Sequence, residues 1–326
     1  MHDFTVLVLP GAFASSVAAT LDMVAAAAAL APRASAAPPR WRVKSPEGGR
    51  VTLGNGMTVD TDALARRARP DRSAWIVPGL GTENPGAIRA RLAEPGAQRA
   101  VAALRAQHAA GGSLAASCSA VFLLQAAGAL AGRRVTTSWW LASRLQQIEP
   151  ACVVAAERMV CVDGPVATAG AAFAQTDLML HLLQSRFGTP LAELVRRVLV
   201  LDARQAQAGY AVPAMLATGN ALVARVTARI EAGLPRPPSV ADLAGEFAMS
   251  ERTLARHVRA ATGLGPLALV QNVRLQRARA LIETSKMSIA QVAEQVGYED
   301  ATALRRMMRK WAGANPSAFR THVASA

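Results

Sequence analysis

The chain has 326 residues, 52% of them hydrophobic, and carries 36 Lys+Arg against 22 Asp+Glu for a formal net charge of +14. That length suggests two domains, and the apolar content excludes a disordered polymer while supplying ample core. A balance this basic points to a polyanionic partner, either nucleic acid or a membrane surface. In chain order, Thr5–Leu9 reads as a buried strand and Ser16–Leu30 as an Ala-rich helix in which Ala25–Ala29 is filler. Trp41–Lys44, Val51–Leu53 and Ala74–Val77 read as strands, and Ala97–Ala109 as a helix. Leu114–Ser117 reads as a strand running into a helix from Ser119 to Ala129. Val166–Thr168 follows as a short strand and Thr176–Phe187 as a helix. Strands and helices alternating at these lengths predict an α/β fold with a mostly parallel sheet. The strands lack clean polar alternation, as expected for a sheet covered on both faces.

The pattern breaks at Ala203–Pro213, ARQAQAGYAVP, where Gly and Pro interrupt any long apolar period. The expected organisation is a first domain over 1–202, a linker over 203–216 and an all-α domain over 217–326. Residues 225–326 hold 15 Lys+Arg and 8 Asp+Glu, so half of the excess charge sits in less than a third of the chain. The N-terminus has no basic stretch ahead of an apolar one, which argues against a secretion signal. The uncharged run from Arg105 to Arg133 contains His108, Gly111, Gly112, Ser113 and Gln125, which argues against a membrane span. Cys118, Cys152 and Cys161 show no CxxC spacing, which argues against a disulfide framework and a zinc site and fits the cytoplasm. Neither a metal nor a cofactor is expected.

The second domain contains a repeat. SVADLAGEFAMSERTLARHV starts at Ser239, and SIAQVAEQVGYEDATALRRMM at Ser288. Ser239 with Asp242, and Ser288 with Gln291, can form capping boxes that start a first helix. Gly297 suits the turn of the second copy, and Ser250 and Asp300 suit the N-caps of the second helices. Those helices are two-faced. In the first copy Leu254 and Val258 point inward, while Arg252, Arg256 and Arg259 share the outer face at i, i+4 and i+7. In the second copy Leu304, Met307, Met308 and Trp311 point inward, and Thr302, Arg305, Arg306 and Arg309 outward. An Arg-lined helix on a two-helix support is the layout that enters a DNA major groove.

LAGEFAMSERTLARHV, LVQNVRLQRARALIETS and IAQVAEQVGYEDATALRRMMRKWAGANPSAFR, with Gly297–Tyr298, Pro316, Phe319 and Arg320, resemble the DNA-binding domain of the AraC family of transcription regulators. The resemblance implies two recognition helices in successive major-groove segments. It makes Arg252, Arg256, Thr302 and Arg306 the base-reading candidates. The wider set of DNA-binding candidates is Ser250, Arg252, Thr253, Arg256, Arg259, Thr302, Arg305, Arg306, Arg309 and Lys310. Leu304 and Met308 stand where the family commonly has Phe, and read as core changes.

In the first domain Cys118 sits in LAASCSAVFLLQAAGAL, at a strand-to-helix junction that exposes a side chain at a helix N-terminus. A buried structural cysteine is the plainer explanation. VLVLPGAFASSVAATLDM, WIVPGLG, ASCSAVFLLQAAGALAGRRVTTSWW and VATAGAAFAQTDLMLHLL together resemble the DJ-1/PfpI-like (class I glutamine amidotransferase-like) domain, which implies a flavodoxin-like sheet. With the AraC-type domain behind it, the whole resembles GlxA-like regulators, whose front domain is expected to sense a metabolite and to help dimerise. Ser138 stands where such elbows often have His, and Ser15 and Ser16 occupy the region of the acidic residue near the first strand. A thiol without base or acid lacks its usual activation, so no catalytic residue is expected. His108 and His181 read as solvated or core helix residues. The candidate ligand pocket is Gly11, Gly79, Cys118, Ser119, Ser138 and Trp139, on loops at the C-terminal ends of the strands. Trp139 and Trp140 could floor it or pack a dimer interface, with core packing the plainer role for at least one.

The expected function is sequence-specific transcription regulation under a small metabolite. The expected partners are double-stranded DNA and a second copy, with RNA polymerase a further candidate. The alternatives are a cysteine-dependent enzyme of the DJ-1 type with secondary DNA binding, and an architectural DNA protein without an effector.

Overall fold

The structure is a computed structural model. It describes the chain apart from residues 1, 66, 68, 69, 83, 203–220, 263, 313, 314 and 320–326, and apart from the side chains of residues 311, 312 and 318. The expected linker at 203–216, the inward placing of Trp311 and the terminal Arg320 lie outside the described residues. The chain divides into two compact units, Met1–Gln205 and Ala206–Ala326.

The first unit is built on a sheet of β1 (Phe4–Leu7), β2 (Trp41–Ser45), β3 (Gly49–Thr52), β4 (Thr58–Ala63), β5 (Ala74–Val77), β6 (Leu114–Ser117), β9 (Val160–Asp163) and β10 (Val166–Ala169). A separate pair is formed by β7 (Arg134–Val135) and β8 (Val153–Val154). The main sheet runs β3-β4-β2-β1-β5-β6-β10-β9. Its centre is parallel, whereas β3 against β4 and β9 against β10 are antiparallel. Every residue of β1, β5, β6 and β10 is buried, because helices cover both faces.

On one face lie α1 (Ala14–Leu30), α6 (Ala174–Phe187) and α7 (Thr189–Val198), packing Met23, Val24, Leu178, Leu183 and Leu191 with Phe4 and Ile76. On the other lie α2 (Pro85–Ala93), α3 (Pro95–Ala109), α4 (Val121–Ala126) and α5 (Ala142–Ile148), packing Ile88, Leu104, Phe122 and Leu145 with Leu7 and Val77. The stretch Ala14–Ala34 is long and apolar enough to cross a membrane by length and composition, with a mean hydropathy of 1.6. Here Met23, Val24, Ala27 and Leu30 within it are buried in the core. Winding reverses between β1 and β5, so a crevice opens at the C-terminal ends of the strands.

The second unit has α8 (Ala221–Ala232), α9 (Val240–Glu246), α10 (Glu251–Thr262), α11 (Pro266–Thr284), α12 (Ile289–Gln295) and α13 (Ala301–Ala312). Capping boxes start α9 and α12 as the sequence predicts, on Ser239 with Asp242 and on Ser288 with Gln291. Around α12 and α13 the core gathers Leu275, Ile282, Val292, Val296, Leu304 and Met308. Both positions where the family commonly has Phe are therefore interior.

The two turns differ in one telling position. Gly297 has φ +78°, the left-handed conformation the second turn requires. Its counterpart in the first turn is Ala248, a non-glycine residue at φ +53°. An L-residue pays a steric penalty there that glycine avoids. Ala248→Gly should stabilise the unit by about 0.5–1 kcal/mol, because the gain exceeds the extra entropy glycine loses on folding. Urea unfolding with an unchanged m-value would read this out, and a destabilised variant would show that the turn is not strained.

Candidate nucleic-acid interface and elbow site

Each recognition helix begins with a side-chain cap. The Ser250 hydroxyl accepts the Thr253 N–H at 3.2 Å, and Asp300 Oδ1 accepts the Ala303 N–H at 2.7 Å. These caps fix where α10 and α13 start, and hence which residues face outward. Leu254, Val258, Leu304 and Met308 are fully buried, which turns the opposite faces to solvent. On α10, Arg252, Arg256 and Arg259 are exposed and Thr253 is half-buried. On α13, Thr302, Arg305, Arg306, Arg309 and Lys310 are all exposed. Arg309 is tied at the helix end, donating from Nη2 to Asn315 Oδ1 at 3.1 Å. Arg252, Arg256, Arg305, Arg306 and Lys310 make no hydrogen bond or ion pair among the described residues. A guanidinium on a rigid helix with nothing to neutralise it is free to make the paired hydrogen bonds that read guanine O6 and N7.

Sequence reasoning missed how the second turn is held. Arg274 of α11 donates from Nε to the Val296 carbonyl at 2.7 Å and from Nη2 to the Gly297 carbonyl. Its guanidinium also lies over the Tyr298 ring, 4.2 Å from the centroid. Burial raises the Tyr298 phenol above its usual range, so it stays neutral beside that cation. Arg274 thus ties α11 to the turn that aims α13. An open cleft of about 460 Å³ runs beside it, with Gln271, Tyr298, Arg306 and Lys310 on its walls. Gly297 was legible as a turn residue, but its partner lies 23 residues upstream on another helix, beyond any local pattern.

In the first unit, Cys118 forms the elbow between β6 and α4. Its backbone has φ +55°, its N–H donates to the Gly170 carbonyl at 2.8 Å, and the residue is 7% exposed. Ser138 Oγ donates to Cys118 Sγ at 3.0 Å, and Thr137 Oγ1 donates to the Cys118 carbonyl at 2.7 Å. Gly79 permits the close approach of the neighbouring loop, since a Cβ there would stand 3.2 Å from the Cys118 Cβ. Ser119 is fully buried and accepts the Leu80 N–H at 3.2 Å, so it pins that loop. The expected pocket residues Gly79, Cys118, Ser119 and Ser138 therefore come together, and exposed Gly11 lies on the adjoining loop. Trp139 is buried and stacks edge-on against half-buried Trp140, with centroids 5.1 Å apart.

The sequence did not reveal the rim. Phe13 and Phe173 are 37% and 59% exposed and meet edge to face with centroids 6.3 Å apart. A Cβ on Gly79 would lie 3.7 Å from the Phe13 Cβ and 3.8 Å from Cys118 Sγ, so this aromatic pair borders the elbow. The other thiols differ in setting. Burial pushes Cys161 up to about 11, and burial with Glu149 nearby raises Cys152. His108 and His181 sit in α3 and α6, half-buried, and burial lowers both below the usual imidazole range.

An α/β unit with an elbow at its sheet crevice, together with a helical unit bearing two capped helix-turn-helix pairs, defines the class. The chain belongs to the DJ-1/PfpI family, which matches residues 18–185. A helix-turn-helix domain matches residues 243–322. The chain is 28% identical over 319 residues to the HTH-type transcriptional regulator CdhR of Pseudomonas aeruginosa, covering 97% of this chain and 90% of that protein. It is 29% identical over 211 residues to the HTH-type transcriptional regulator GlxA of Rhizobium meliloti, covering 64% of each. An AraC family transcriptional regulator from Pseudomonas putida superposes with a TM-score of 0.51 at 21% identity, covering 61% of this chain and 100% of that one. A ThiJ/PfpI family protein from Pseudomonas syringae superposes with a TM-score of 0.51 at 18% identity, covering 83% and 91%. These likenesses establish the flavodoxin-like parallel-dominated fold of the first unit.

Proposed function

We propose that this chain is a cytoplasmic transcription regulator that binds double-stranded DNA sequence-specifically as a homodimer, under control of a small molecule sensed by its first unit. The observation that carries the reading is the pair of capped helices α10 and α13, each with a buried apolar face and an exposed arginine row. The relatives named as HTH-type transcriptional regulators support it, at identities of 28% and 29%. RNA polymerase is the further partner that activation would need. The function requires neither metal nor cofactor. Selection of random duplexes on the full-length chain tests it. The selected duplex should bind about 10³-fold or more tighter than its scrambled form at equal salt. Equal affinity for both would leave only nonspecific attraction to a basic protein.

The first unit acts here as a sensor, and catalysis is not proposed for it. Ser138 offers Cys118 a hydroxyl, which cannot take a proton as an imidazole would. Cys118→Ser should therefore leave affinity for the selected duplex within about twofold, since a conservative change in the first unit leaves the recognition helices of the second unaltered. If the elbow lines the effector site, the same variant should respond to effector with altered midpoint. Turnover of a metabolite that vanishes in Cys118→Ser would replace the sensor reading with an enzymatic one.

A further inference from the structure

The first unit carries a guanidinium whose main recognition edge is unused. Arg91 lies on α2, and its side chain is 14% exposed. Nη1 pairs with Glu94 Oε2 at 2.8 Å. Nε and Nη2, the two donors of the adjoining edge, are buried and have no hydrogen-bond partner among the described residues. Thr82 Oγ1, on the loop leading into the same helix, is also buried without a partner. Buried donors in this state are rare in folded proteins and call for a partner group. The guanidinium edge has the stronger need, because it leaves two charge-bearing donors without an acceptor where the threonine leaves one hydroxyl.

The surroundings place this edge at the crevice. Nη2 faces Gly11, where a Cβ would stand 3.4 Å away. Gly11 is exposed and has φ +72°, so the loop beside the guanidinium presents backbone and no side chain at this point. The next loop residues reach the elbow, since Phe13 N donates to the Gly79 carbonyl at 2.8 Å and Gly79 abuts Cys118. Gly81, at φ +71°, packs directly on the Gly11 carbonyl. The loop beside the fork is thus packed against the Gly79–Gly81 loop, which in turn abuts the elbow.

We propose that Arg91 is the anion-binding residue of the effector site and that the effector carries a carboxylate. Nε–H and Nη2–H are parallel donors spaced for the two oxygens of one planar oxyanion. The Gly11 loop yields to admit the carboxylate. The remainder of the molecule lies toward Cys118, Ser138 and the Phe13–Phe173 rim. The proposal rests on the reading of the first unit as a sensor.

The probe is acetate, with acetamide as its uncharged isostere, added to the full-length chain at constant ionic strength while thermal unfolding is followed. Acetate should raise Tm saturably and acetamide should not. Arg91→Lys keeps the charge and loses the fork, so half-saturation should move to about tenfold or more higher acetate. Equal effects of acetate and acetamide, or a wild-type response in Arg91→Lys, would overturn the site. If Arg91→Lys fails to fold, wild-type crystals soaked in acetate decide: density on the Arg91 fork supports the proposal, and an empty fork refutes it. Affinity for the selected duplex is measured in parallel. A chain that binds the duplex specifically yet ignores acetate loses this site and keeps its function. One that responds to acetate yet binds all duplexes alike keeps the site and loses the regulator.

Discussion

Gly297→Ala should destabilise the second unit by about 2–4 kcal/mol, a larger effect than any surface change on the recognition helices. Two independent costs add. The residue sits at φ +78°, where a Cβ clashes with its own backbone. A Cβ at this position would also lie 1.9 Å from the Pro235 carbonyl oxygen and 2.9 Å from Arg274 Nη2. The Arg274 side chain could swing away, but only by giving up its bonds to the turn, and the Pro235 carbonyl is backbone. The displaced turn would carry α13 with it. Urea unfolding should show the loss of stability. Binding should fall further than unfolding alone explains, with the contacts of α10 retained. A variant as stable as wild type would mean that the close packing of Pro235 on Gly297 is not maintained in solution.

Arg256→Ala should lower affinity for the selected duplex by about 1–3 kcal/mol while sparing a scrambled duplex. Arg256 is exposed on the outer face of α10, in its second turn, and makes no ion pair among the described residues. Its fork is therefore available to a base edge. Lys310 near the end of α13 should behave differently. It is exposed and can offer a point charge to a phosphate, so Lys310→Ala should weaken both duplexes alike and lower the salt slope by about one. Fluorescence anisotropy on both duplexes over a salt series separates the two behaviours. Should Arg256→Ala weaken both duplexes equally with a shallower salt slope, Arg256 clamps phosphate and α10 does not read bases where we place it.

The readable parts of the sequence were those with strong local physics. Uninterrupted apolar runs at Thr5–Leu9, Ala74–Val77 and Leu114–Ser117 announced buried central strands because both of their faces must be covered. The matched Ser239–Asp242 and Ser288–Gln291 pairs announced helix starts because a capping box needs only four residues. Strand β4, TVDTDA, was not legible. Its Asp60 and Asp62 face solvent, and only pairing with β3 and β2 makes it a strand. Helix α7 was also overlooked, since it follows Gly188 directly after α6 and shares that helix's apolar face.

The site divided in the same way. The outward arginines could be counted from a 3.6-residue period, and Cys118 from a strand-to-helix junction. Arg91, Arg274 and the Phe13–Phe173 rim could not, because each acquires meaning only from a residue distant in sequence. Gly11, Gly297 and Phe173 lie 80, 23 and 160 positions from Arg91, Arg274 and Phe13 respectively.

Hydroxyl-radical footprinting of the full-length chain on the selected duplex tests the central claim most directly. Two recognition helices linked in one chain should protect two short blocks on one face of the duplex, with centres about one helical turn or roughly 34 Å apart for each protomer. The Arg256→Ala variant should weaken one block and Arg306→Ala the other. Protection confined to a single block per protomer, weakened by only one of the two variants, would contradict an account in which both α10 and α13 enter the major groove.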